Sequence, residues 1–69
     1  PLYWAELASG ELVFGSELKS LMAHGRLPTA LDPCAVEEYF ALGYVPEPRT
    51  IYAAARKLPP GHTLALVRG

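Results

Sequence analysis

Gly43-Tyr44-Val45-Pro46-Glu47-Pro48-Arg49-Thr50-Ile51, continued by Lys57-Leu58-Pro59-Pro60-Gly61-His62, is the stretch on which the reading of this chain turns. Four of the seven prolines fall in it. Each proline holds its own φ near about −65° and pushes the preceding residue toward extended geometry, so the backbone here is stiff and directed without being helical. Flexible linkers are rich in Gly and Ser, whereas this stretch carries Tyr44, Val45, Ile51, Tyr52 and Leu58, whose burial is favourable. The composition predicts a rigid connector packed against other parts of the fold.

The residues before the connector read as a helix with well-marked ends. Asp32 is a capping residue, Pro33 suits the first helical position, and Leu31 is placed to staple onto Val36. Val36, Tyr39 and Phe40 make the predicted buried stripe, Glu37 and Glu38 the wet face, and Gly43 the stop. Further upstream, Leu2-Tyr3-Trp4-Ala5-Glu6-Leu7 and Leu12-Val13-Phe14 are rich in strand-favouring residues, and Ala8-Ser9-Gly10-Glu11 between them is turn-like, which predicts a hairpin. The first run lacks strict polar alternation, so it reads as a strand covered on both faces, one of them by something outside these residues. Ser16 is the expected cap of a two-turn helix whose stripe is Leu18, Leu21 and Met22, with His24-Gly25 as its stop.

Downstream of the connector's first half, Ala53-Ala54-Ala55-Arg56 is too short for a free-standing helix and reads as an irregular turn. Pro59-Pro60-Gly61 predicts a tight reversal, and His62–Val67 alternates well enough for a last strand. The fold class that follows is α+β: hairpin, two helices, proline-rich connector, strand.

Composition limits what such a piece does. A chain of 69 residues is at most one domain, and a domain of that size removes only about 60% of its unfolded surface from water. With 51% hydrophobic and 19% charged residues, the chain is stickier than a free-standing mini-domain, which implies a partner surface. Both ends are abrupt, and the expectation is a segment of a longer protein. The net charge of −1, without any basic cluster, argues against a nucleic-acid partner. No apolar run approaches the roughly 20 residues of a membrane-spanning helix. A lone Cys34 forms no disulfide within the chain, so a reducing, cytoplasmic setting is expected.

Candidate chemistry is sparse. Cys34 lies in the first turn of the second helix, where a thiolate is favoured, and Asp32, His24 and His62 are conceivable companions for a nucleophile. Against that reading, nothing in the spacing brings the histidines near, and the capping carboxylate opposes a thiolate; a small, partly buried apolar role for Cys34 is the alternative. Ser16-Glu17 could be an acid–base pair, yet a helix start explains both residues. One Cys and two distant His do not have zinc spacing, no calcium loop is present, and the glycines are scattered singly, so no metal or nucleotide phosphate site is expected. Val45-Pro46-Glu47-Pro48 could be shown to a proline-binding partner, although it lacks PxxP spacing. A stand-alone interaction module presenting Pro46–Pro48 is the alternative function. Trp4 and the four tyrosines could form a ligand surface or fill a core, and their spacing favours the core.

Taken together, Pro1-Leu2-Tyr3, Leu12-Val13-Phe14-Gly15-Ser16-Glu17-Leu18-Lys19-Ser20-Leu21, Leu31-Asp32-Pro33, Tyr39 and the two connector blocks resemble, in collinear order, the latter part of the glutamine-hydrolysing domain of asparagine synthetases and related bacterial amidotransferases. Trp4 and Gly15 stand where that family leads one to expect Tyr and Ala. The resemblance implies a class II glutamine amidotransferase with the four-layered αββα N-terminal-nucleophile fold, of which residues 1–69 would be the C-terminal portion of the glutaminase domain without a complete second domain. In such enzymes a chain-initial Cys attacks the amide of glutamine and releases ammonia. A second domain activates an acceptor carboxylate with ATP and magnesium, and ammonia crosses an internal passage to it.

The resemblance therefore implies as partners the remainder of the glutaminase domain and the synthetase domain, with glutamine as substrate and a homodimer as an arrangement of the whole enzyme. The family's nucleophile and glutamine-binding residues lie upstream of Pro1 and its ATP site downstream of Gly69. No catalytic, cofactor-binding or metal-ligating residue is thus expected in 1–69, and Cys34, being internal, is not the family nucleophile. The segment by itself is expected to be structural and inactive.

Overall fold

Leu2–Glu6 (β1) and Leu12–Gly15 (β2) pair antiparallel in the computed structural model, which describes residues 2–23, 25–59 and 61. The expected hairpin forms because the turn residues suit it. Gly10 takes φ +89°, its N–H donates to the Leu7 carbonyl at 2.8 Å, and the Leu7 N–H returns to the Glu11 carbonyl at 2.8 Å. This is a three-residue loop closed by a left-handed glycine.

The third strand was not legible in the sequence. Arg56–Leu58 (β3), inside what reads as connector, pairs antiparallel with β1 in the register Leu2↔Leu58, Tyr3↔Lys57 and Trp4↔Arg56, so the sheet order is β2-β1-β3. Arg and Lys carry little strand signal, and three residues are too few to show alternation. The proline segment also departs from the extended course expected of it. It turns back at Pro46–Arg49, with the Arg49 N–H donating to the Pro46 carbonyl at 3.2 Å and the Glu47–Pro48 peptide cis. Arg49 then bridges Arg56, and the Lys57 N–H donates to the Pro48 carbonyl at 2.8 Å, so the far edge of β3 is covered by the turn.

Leu18–Met22 (α1) is a single five-residue turn and a half, shorter than expected. Ser16 is not its cap: Glu17 occupies that position with no side-chain capping bond. Strand β2 runs through Gly15, which leaves Ser16 and Glu17 to turn the corner. A Cβ on Gly15 would meet the Glu17 carbonyl oxygen at 3.2 Å and Leu21 atoms at 3.3 Å, so the missing side chain is what lets the helix start lie this close to β2. The predicted stripe holds, with Leu21 buried and Leu18 and Met22 packed against the core. Ala23 caps the end of α1, and Gly25 takes the left-handed φ of +80°. His24 lies outside the described residues.

Pro33–Leu42 (α2) starts and stops where the sequence says. The Asp32 carboxylate accepts from the N–H groups of Cys34 (2.9 Å) and Ala35 (3.4 Å), and Gly43, at φ +80°, donates its N–H to the Tyr39 carbonyl at 2.8 Å. Its buried face is not the predicted one. Ala35 is fully buried, whereas Tyr39 is 52% and Phe40 82% exposed, and Glu38 is partly shielded. No Cα of α2 comes within 8 Å of the sheet or of α1, so the sheet does not bury its aromatic residues as the spacing predicts. Leu31 is also exposed, and its backbone bridges Tyr52. That bridge holds the helix start: the Asp32 N–H donates to the Ile51 carbonyl (2.9 Å) and the Ala53 N–H to the Ala30 carbonyl (3.0 Å).

The core is correspondingly thin. Ala5, Leu7, Leu21, Leu27 and Ala55 form it, with Tyr3, Val13 and Tyr52 packed at its margin. Ala53 and Ala54 form the short turn expected of them. Gly61 has φ +78°, as a reversal after the prolines requires, while Pro60 and the predicted strand over His62–Val67 lie outside the described residues.

Side chains alternate across a strand, and cross-strand partners share a face, so the register divides the sheet. Tyr3, Ala5, Val13 and Lys57 face α1 and the core. Leu2, Trp4, Glu6, Leu12, Phe14, Arg56 and Leu58 share the opposite face, and on it Leu2 and Phe14 remain exposed, Phe14 by 51%.

Candidate functional site

The gap between α2 and the sheet is a groove of about 520 Å³. The sheet and α1 supply Tyr3, Leu18 and Lys57 to one wall, and α2 with the connector supplies Tyr39, Gly43, Tyr44, Val45 and Ile51 to the other. Alternation in β3 directs Lys57 to this side, and its ammonium donates to the Val45 carbonyl at 2.6 Å. That bond ties the start of the proline segment to the strand it folds against.

Thr50 sits at the back of the groove, 1% exposed. Its hydroxyl accepts from the Tyr52 N–H (3.1 Å) and lies within donating distance of the carbonyls of Ala55 (2.9 Å) and Tyr52 (3.0 Å). A buried hydroxyl with all its partners inside one loop is a fastener for residues 50–55. On the outer side, Arg49 Nε donates to Glu38 Oε1 at 2.7 Å, linking the connector to α2. This hydrogen bond holds the Glu38 carboxyl below the usual carboxylate range and pushes Arg49 further up.

The nucleophile set weighed from the sequence is not assembled by the described residues. Cys34 is exposed, contrary to the partly buried role read for it, and Asp32 is engaged with backbone N–H groups. His24 and His62 lie outside the described residues. Ser16 and Glu17 are both exposed at the corner before α1. Pro46–Arg49 forms a turn folded onto β3, a different shape from the extended helix that proline-binding partners recognise. The tyrosines divide: Tyr3 and Tyr52 pack against the core as read, whereas Tyr39 and Tyr44 are more than half exposed along the groove. Among the described residues no three His, Cys, Asp or Glu side chains converge as metal ligands would, and no helix is long and apolar enough to cross a membrane.

Lys57 and Thr50 escaped the sequence reading. The signal for Lys57 was its place two residues before the Pro59-Pro60 turn in a strand-length run; for Thr50 there was none, since a buried threonine looks like any other in a loop. Chemically the groove offers one cation, tyrosine hydroxyls and apolar walls, an arrangement suited to packing or binding.

A sequence model of the glutamine amidotransferase domain matches residues 1–69. The chain is 36% identical over 61 residues to asparagine synthetase [glutamine-hydrolyzing] 1 of Bacillus subtilis, covering 88% of this chain and 9% of that protein. It is 40% identical over 58 residues to the putative asparagine synthetase [glutamine-hydrolyzing] 2 of Methanocaldococcus jannaschii, covering 81% of this chain and 11% of that protein. The chain thus spans about a tenth of the length of these relatives. No solved structure matches it.

Proposed function

We infer the function from one premise: this chain belongs to the glutamine amidotransferase domain family. We propose that residues 1–69 are the C-terminal portion of the glutaminase domain of a longer, asparagine synthetase-like enzyme. That enzyme hydrolyses glutamine and transfers the ammonia to an activated carboxylate. These residues contribute sheet, helix and connector to the domain, and no catalytic residue is assigned among them.

The observation that carries this reading is the outer face of the sheet. Leu2, Trp4, Leu12, Phe14 and Leu58 lie together on the side away from α1, with Leu2 and Phe14 exposed, and Glu6 and Arg56 are the charged residues that the register places on the same face. Each large apolar side chain gains about 1.5–3 kcal/mol from full burial, so a surface of this kind is a packing face. In the αββα architecture a second sheet lies against such a face. The cover comes from the remainder of the glutaminase domain, and the connector leads toward the synthetase part.

ATP and magnesium serve the synthetase part in this reading, activating the acceptor. The residues here do not fit either group, having no glycine-rich phosphate loop and, among those described, no converging carboxylates. The location proposed is the cytoplasm, in keeping with a single unpaired cysteine. The whole enzyme acting as a homodimer belongs to the same reading.

The test is a glutaminase assay on the whole protein, following glutamate release from glutamine, together with ATP-dependent amide formation on carboxylate acceptors, aspartate among them. Glutamate release coupled to amide formation is the expected result. A whole protein that forms the amide only from free ammonia, or that leaves glutamine intact, overturns the proposal.

A further inference from the structure

Lys57 is a half-buried cation on the inner side of the sheet. Its register opposite Tyr3 puts it on the core-facing side of the sheet, and among the described residues it is the one charged side chain lining the groove between the sheet and α2. One of its three ammonium hydrogens serves the Val45 carbonyl. The two ion pairs among the described residues are Arg26–Glu11 and Arg49–Glu38, and neither involves Lys57. All seven Asp and Glu residues of the chain lie among the described residues, and Pro1, His24, Pro60 and His62–Gly69 add no further acidic side chain. No side-chain carboxylate of these 69 residues neutralises Lys57.

The groove itself calls for an occupant. It is an open cleft of about 520 Å³ between α2 and the core-facing side of the sheet, with mainly apolar and aromatic walls and room for several side chains of a further segment. Tyr39 and Tyr44 stand exposed along it. Whatever fills the groove strips water from the ammonium, which is costly unless a counter-charge arrives with it.

We propose that an Asp or Glu side chain from the protein's own chain outside residues 1–69 enters this groove and pairs with Lys57, flanked by apolar groups that pack on Tyr3, Leu18 and Tyr39. This inference rests on the reading of the chain as part of a longer glutaminase domain. Lys57 is the electrostatic anchor of that internal interface. The Val45 carbonyl holds the ammonium in place before the partner docks, so little side-chain freedom remains to be lost.

The test is a crystal structure of the whole protein, with glutamine hydrolysis measured on the same preparation. A carboxylate oxygen within about 4 Å of Lys57 Nζ, contributed by a residue of the same chain outside 1–69, is the expected result. Water alone, a small-molecule carboxylate, an acidic residue of a second copy, or one of the seven carboxylates within this stretch at that position overturns it. In parallel, Lys57→Met lowers the thermal midpoint by roughly 5 °C or more, and Lys57→Arg recovers over half of the loss. Equal midpoints for Lys57→Met and the parent also overturn it. The two readings separate cleanly: glutamine hydrolysis with an unpaired Lys57 sinks the ion pair alone, and a paired Lys57 without hydrolysis sinks the glutaminase alone.

Discussion

Replacing Thr50 by Val keeps the shape of the side chain and removes its hydroxyl. The Tyr52 N–H then loses its acceptor, because the neighbouring bridge to Leu31 uses the N–H groups of Asp32 and Ala53 and leaves that of Tyr52 to Thr50. The carbonyls fare better: Ala55 O also receives Arg56 Nη1 at 3.3 Å, and Tyr52 O receives the Ala55 N–H at 3.3 Å. One orphaned donor in a buried loop costs about 1–3 kcal/mol, and we take about 2 kcal/mol for Thr50→Val. Thr50→Ser keeps the hydroxyl and gives up one methyl group, about 0.8 kcal/mol. The expected order of stability is Thr, then Ser, then Val.

Native-state hydrogen exchange of the whole protein reads this locally. With 1.4 kcal/mol per factor of ten, the Val variant opens the 50–57 region roughly thirtyfold more often, and the Ser variant about fourfold. The amides of Ala53 and Lys57 report it, since they are bonded to Ala30 O and Pro48 O, while those of the β1–β2 hairpin serve as an internal control. A Val variant that exchanges no faster than wild type, or a Ser variant that exchanges faster than Val, refutes the idea that the hydroxyl fastens this loop.

Asp32→Ala removes the acceptor for the Cys34 and Ala35 N–H groups and is expected to destabilise α2 by about 1 kcal/mol, seen as faster exchange in its first turn and not in its last. The Glu38 carboxyl, held low by the Arg49 hydrogen bond, stabilises the fold above its unfolded pKa, and the contribution fades as pH falls through its lower folded value; carbon-detected NMR titration should show Glu38 below the usual glutamate range and Arg49→Gln returning it there. Phe14→Glu in the whole protein puts a charge on the outer sheet face and is expected to abolish soluble, folded protein, whereas Glu6→Gln, at the exposed end of β1 on the same face, should be tolerated; a soluble, folded Phe14→Glu protein would show that face to be wet.

What could be read without coordinates was chemistry confined to a few neighbouring residues. Asp32, Pro33 and Gly43 marked the bounds of α2 because capping groups act within three or four positions, and Gly10 marked the hairpin turn because only a left-handed residue closes it. The Leu18, Leu21 and Met22 stripe was legible for the same reason. Ser16 misled, since a cap depends on where the preceding strand ends, and β2 runs on through Gly15 to pair with Tyr3. The connector blocks, with Lys57-Leu58-Pro59-Pro60-Gly61-His62 at their head, carried the family.

Tertiary structure alone decided the rest. The strand character of Arg56–Leu58 comes from β1, more than fifty residues away in the chain, and no local propensity announces such a partner. The same register sends Lys57 inward and groups Leu2, Trp4, Phe14 and Leu58 on one face, because a shift of a single residue would reverse every one of those directions. Burial of Tyr39 and Phe40 is expected from spacing, but periodicity states only that a helix has an apolar side; whether anything lies against that side is a property of the surrounding chain, and here Tyr39 borders the groove while Phe40 is 82% exposed.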